Sequence, residues 1–177
     1  RKPGEAGEEE AEDGESFSLT DLLEFPGAKA ALASFFCYCA LEQTAGLWAA
    51  SYMVLNRGVT AEAAARWASL FYLGITAGRF LCGFITLKLD DKGMVRLGQT
   101  VALAGILLLA LPLGQGLTGT GLVMVGMGCA PIYPALLHET PSNFGEDKSQ
   151  AIMGMQMACA YVGTMAMPPL FGMLSGA

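Results

Sequence analysis

Five long apolar runs, separated by short polar gaps, dominate the chain: 28–55, 66–88, 94–113, 117–138 and 149–175. Each is long enough to supply the roughly 20 residues a helix needs to cross a bilayer. None alternates with a period of two, so a strand reading fails. The gaps are VLNRGVTAEAAAR (54–66), KLDDKGMVR (88–96), a bare GQG turn (114–116) and HETPSNFGEDKS (138–149), the last ending in a helix N-cap near Asp147 or Ser149. Ahead of the first run, SFSLTDLLEFPG (16–27) predicts a short amphipathic helix. Its Phe17, Leu22, Leu23 and Phe25 would rest on a membrane surface, and Pro26-Gly27 ends it.

Composition sharpens this pattern. Of 177 residues, 53% are hydrophobic and 15% charged, and seven of the sixteen acids fall in the first fifteen positions. The rest of the chain carries too little charge to cover a soluble globule. Residues 1–15 therefore read as a solvated, disordered acidic tail, and 28–177 as a transmembrane bundle. Arg1, Lys2, Lys29, Lys88, Lys92, Arg96 and Lys148 fall on one side of an alternating topology, against Arg57 and Arg66 on the other. The positive-inside rule then puts the tail, the 88–96 loop and the 138–149 loop in the cytoplasm.

Several function classes drop out. Cys37, Cys39, Cys82, Cys129 and Cys159 lie in apolar runs without a Cys-x-x-Cys pair, and read as buried small hydrophobes. His138 is the sole histidine. No metal centre, cofactor or nucleophile–base pair is expected, so the chain is not read as an enzyme. Nothing favours a nucleic-acid partner.

The candidate chemistry lies inside the apolar runs. Glu42 sits fourteen residues into its span, roughly 21 Å at 1.5 Å per residue, near mid-membrane. Phe35, Tyr38, Glu42, Ala45, Gly46, Ala49 and Met53 share its helical face. That face carries an acid, an aromatic hydroxyl and small residues, as a cavity lining would, and an acid at such a depth is a functional candidate. Gln43 is turned toward the cavity edge, and Trp48 and Tyr52 are read as an i, i+4 aromatic pair. In GCAPIYP (128–134), Pro131 and Pro134 each remove a backbone donor and predict a kinked or unwound helix near Tyr133. Pro168-Pro169 predicts the same in the fifth span, which also carries Gln156 and Tyr161. Arg79, in GRFLCGF (78–84), either snorkels or pairs inside the bundle. The short charged loop beyond it holds Asp90, Asp91, Lys92 and Arg96.

The stretch GRFLCGFITLKLDDKGMVRLG (78–98) resembles the loop between the eighth and ninth helices of major facilitator superfamily transporters. EQTAGLWAASYMV, LGITAGRFLCGF, GCAPIYPALLHETP and AYVGTMAMPPLFG are similar to the carboxy-terminal half of its fucose-permease-like sugar transporter branch. The resemblance implies an all-α membrane protein of five transmembrane helices. These form part of a carboxy-terminal six-helix bundle, an inverted 3+3 repeat lacking its last helix. The resemblance makes residues 1–27 an acidic, partly disordered cytoplasmic linker, and the amino-terminal half would lie outside this sequence.

The resemblance also implies alternating access, proton symport, and a multi-pass cell-membrane location, here a bacterial inner membrane. The expected partners are a small polar solute such as a monosaccharide, protons, the lipid bilayer and the missing half. Tyr38, Glu42, Gln43, Tyr133 and Gln156 are the expected substrate hydrogen-bonders, with Trp48 or Tyr52 stacking on a sugar face. Arg79, Asp90, Asp91 and Arg96 are the expected gating group. Two other readings stay open: an exporter of amphipathic or cationic compounds, and a non-transporting receptor or assembly subunit.

Overall fold

The computed structural model describes residues 19–111 and 114–175. The acidic stretch 1–15, Phe17 and the end of the third run at 112–113 lie outside the described residues. Eight helices follow in order among those described: α1 Leu19–Glu24, α2 Ala28–Arg57, α3 Ala61–Ile85, α4 Asp91–Ala110, α5 Gln115–Cys129, α6 Ile132–His138, α7 Thr140–Phe144 and α8 Glu146–Ser175.

Local chemistry sets the ends. Gly58 follows α2 with φ 62°, and the Val59 N–H returns to the Met53 carbonyl at 3.2 Å. A left-handed glycine thus ends the helix, with Val59 buried against Met53. Thr60 caps α3 by accepting from the Ala63 N–H, and Asp90 caps α4 by accepting from the Gly93 N–H at 3.1 Å. Gly145, at φ 81°, turns the chain into α8.

α5 packs between α3 and α4, while α2 packs on α8 and α3. Glycines permit these approaches. A Cβ on Gly78 would stand 2.6 Å from Ala130 Cβ, and one on Gly105 would stand 2.8 Å from the Gly121 carbonyl. Without a hydrophobic drive between helices in lipid, such close contact supplies the association energy. Large apolar side chains point outward instead, among them Phe80, Leu103, Val162 and Leu174. Four helical stretches are long and apolar enough to span a membrane: Ala61–Ile85, Asp91–Ala110, Gly116–Phe144 and Glu146–Ser175. α2 has the length, at 30 residues, but Glu42-Gln43 dilutes its apolar content. An all-α membrane fold of five long helical stretches results.

Four local expectations are corrected. Leu22 of α1 is 2% exposed, and the α1 segment packs on α2 and α8 rather than offering that residue to a membrane surface. Cys37 is exposed while Cys39, Cys82 and Cys129 are buried. The interruption expected near Tyr133 falls two to three residues earlier: a turn at Ala130-Pro131 separates α5 from α6, and both residues keep right-handed helical angles. Finally, α8 runs unbroken through Pro168-Pro169.

At one end of the bundle, Arg57 ties α2 to the carboxy-terminus of α4. Its Nη2 donates to Tyr52 Oη at 3.0 Å, to the Leu109 carbonyl, and to the Leu111 carbonyl at 2.8 Å. A cation is favoured at a helix C-terminus, where carbonyls lack intrahelical partners. Among the described residues, its Nε is buried without a hydrogen-bond partner.

Candidate functional site

Glu42 is the fifteenth of the thirty residues of α2. It lies four residues, about one turn, from Tyr38, which puts both on the face turned toward α3, α5 and α6. Tyr38 is 8% exposed. Its hydroxyl contacts Glu42 Oε2 and stands 3.0 Å from the carbonyl oxygen of Cys129, the last residue of α5. A side chain of α2 thus holds the last carbonyl of α5.

Tyr133, the second residue of α6, stacks edge-on to Phe35 at 5.5 Å and tilts toward Tyr38 at 6.2 Å. Its hydroxyl donates to Met157 Sδ at 3.0 Å. Tyr38, Glu42, Gln43, Arg79, Tyr133 and Thr164 line a cavity of about 150 Å³. Arg79 and Tyr133 also line a larger one of about 920 Å³, which reaches Thr86, Asp90, Asp91 and His138. Arg79 stands where the two meet. It forms no ion pair among the described residues.

Three of the expected substrate residues lie elsewhere. Trp48 does not pair with Tyr52: its Nε1 donates to the Pro168 carbonyl at 3.0 Å and its ring meets Phe171 edge-on at 5.6 Å. Tyr52 turns to α4, donating to the Leu109 carbonyl at 2.7 Å under the Arg57 guanidinium. Gln156 is 1% exposed and accepts from Thr140 Oγ1 at 3.1 Å, beside a separate cavity. Tyr161 points outward. Trp48 is six residues from Glu42, about 240° around the helix at 100° per residue, so one face cannot hold both.

The loop acids divide their work. Asp90 caps α4. Asp91 Oδ2 lies 2.7 Å from His138 Nδ1, and Lys92 Nζ lies 3.4 Å from Glu139 Oε1. The 88–96 and 138–149 segments therefore meet at one end of the bundle. Arg96 lines neither cavity that Arg79 borders. Replacing Asp90 with alanine should cost about 1 kcal/mol, the usual worth of an N-cap. Asp91→Asn should cost less, since its partner His138 is exposed. Thermal unfolding of the two variants in detergent checks this order, and an equal or reversed loss would refute it.

Residue type alone did not expose Thr164, the Cys129 carbonyl or the Arg57 tie. Only the Pro131 signal pointed at the freed backbone near Cys129.

The class these features define is a bundle of long apolar helices, sized to cross a membrane, with a few polar side chains gathered on a small cavity between them. The profile of the Major Facilitator Superfamily matches residues 1–177, and the chain belongs to that superfamily. Among solved structures it is similar to a crystal structure of the E. coli fucose:proton symporter, in a point-mutant form, at a TM-score of 0.74 and 19% identity. The match covers 90% of this chain and 39% of that one, so the chain spans about two fifths of the symporter's length. No curated protein matches the sequence.

Proposed function

We propose that this chain forms five helices of the carboxy-terminal half of a secondary transporter, which moves a monosaccharide by alternating access with proton symport. In this reading residues 1–27 are the linker between halves and 28–177 the partial bundle. The linker, the 88–96 loop and the 138–149 loop are cytoplasmic, by the Lys and Arg count. The carrying observation is the convergence of Glu42, Gln43, Arg79 and Tyr133 on one cavity from three helices.

A sugar ring presents hydroxyls that both donate and accept, with apolar C–H faces between. The cavity supplies acceptors in Glu42 and Gln43, donors in Arg79 and Gln43, and an aromatic surface in Tyr133. The fucose:proton symporter fold adds support for sugar and proton as cargo. Asp90 and Asp91 shape the loop that would move with the gate, and Arg79 links the solute cavity to that end.

The test is a binding and flux panel on the complete transporter in liposomes, with neutral monosaccharides and lipophilic cations. A neutral sugar that binds saturably and accumulates down a proton gradient is the expected result. Binding of lipophilic cations without sugar binding would replace the reading with the exporter. Saturable binding without flux would replace it with a receptor.

A further inference from the structure

We propose that Glu42 is a proton-binding site, wired through Tyr38 to the backbone at the α5–α6 break. The Tyr38 hydroxyl contacts two oxygens, Glu42 Oε2 and the Cys129 carbonyl at 3.0 Å. A phenol carries one proton, and a carbonyl only accepts. If Tyr38 donates to Cys129, its contact with Glu42 is favourable only when the carboxyl holds a proton and donates it to the phenolic oxygen. If Tyr38 donates to Glu42 instead, the Cys129 carbonyl faces a phenolic lone pair. Both contacts are satisfied together by one arrangement: Glu42 O–H to Tyr38 Oη, and Tyr38 O–H to Cys129 O.

Losing the proton changes the backbone as well as the charge. The Glu42 O–H bond breaks, the proton passes to water in the cavity, and a carboxylate remains. The carboxylate and the Cys129 carbonyl then compete for the single phenolic proton. A hydrogen bond to an ionised acceptor is roughly twice as strong as a neutral one, so the carboxylate wins. The Cys129 carbonyl is released at the point where the helix is already interrupted by Pro131. Glu42 therefore sets how firmly α2 holds the α5–α6 joint.

The surroundings suit a reversible proton. Facing Glu42 are Cys39 and Tyr38 of α2, Arg79 of α3, Cys129 of α5 and Tyr133 of α6, while α8 contributes only Thr164. Arg79 is the one cation among them, and no ion pair joins it to Glu42. It stands ready to balance the carboxylate once the proton leaves. The proton's exit leads through the shared Arg79–Tyr133 wall into the larger cavity.

The inference deepens the transporter reading and rests on it only for the proton's direction of travel. The experiment is infrared difference spectroscopy of the purified complete transporter between acidic and alkaline buffer. In the wild type, a protonated-carboxyl band should bleach on alkalinisation. Glu42→Gln should remove that band while keeping the thermal midpoint, because the amide still donates to Tyr38. Tyr38→Phe should move the band to higher frequency, since the carboxyl loses its acceptor. A wild type without the band, a band that survives Glu42→Gln, or one unmoved by Tyr38→Phe would each overturn the proposal. The band without solute flux would sink the transporter reading and leave the proton site standing.

Discussion

Gly128→Ala should leave little folded protein in detergent, although it adds a single methyl group. A Cβ there would stand 2.6 Å from the Gly98 carbonyl oxygen and 2.7 Å from Ala102 Cα. Both are backbone atoms of α4, so neither can rotate away, and the two helices would have to separate. Overpacking a core costs about 1–3 kcal/mol when side chains can adjust. With backbone against backbone the loss should reach about 3 kcal/mol or more, beyond the roughly 1 kcal/mol that alanine gains over glycine inside a helix. Gly154→Ala is the matched control. Nothing lies within 4 Å of a Cβ at that position, so only the helical gain remains and the midpoint should hold or rise. The measurement is thermal unfolding followed by gel filtration of both variants. Equal behaviour would mean that the α4–α5 seam is looser than its geometry.

The second large effect is expected at Arg79. Arg79→Ala in the complete transporter should weaken solute affinity by tenfold to a hundredfold, about 1.5–3 kcal/mol for a hydrogen bond to a charged group. Arg79 is the cation that both cavities share, and no ion pair among the described residues holds it. Its donors are therefore free for a ligand. Arg79→Lys should recover little, because an ammonium lacks the planar fork that can grip two oxygens at once. Equilibrium binding of a neutral sugar decides the matter. An affinity within twofold of wild type in the alanine variant would remove Arg79 from the solute site.

The all-α membrane class was readable because each apolar run exceeds what a soluble helix or strand needs, and the outward Phe80 and Leu174 confirm where that surplus goes. The meeting of Tyr38, Glu42 and Tyr133 was readable for a related reason. Helical spacing puts the first two on one face, and Pro131 marks where α5 hands over to α6. Trp48, Tyr52 and Gln156 were grouped with them by chemical type. Type carries no direction, and each is committed to a partner far along the chain: Pro168, Leu109 and Thr140. Arg57 shows the limit most plainly. From sequence it is one more charge in a gap, because the carbonyls it holds belong to a segment 52 to 54 residues away. Pro168-Pro169 misled in the opposite direction: two missing donors leave α8 helical.

The α4 segment is a strut pinned at both ends. Its amino end is held to α6 and the residue after it by Asp91–His138 and Lys92–Glu139, and its carboxy end to α2 by Arg57. The two fastenings differ in character, one being ionic and wet, the other a guanidinium set into carbonyls. Added salt should therefore loosen the first end well before the second, by screening exposed charge. Ionic strength is thus a handle on one rim of α4 that leaves the opposite rim fastened.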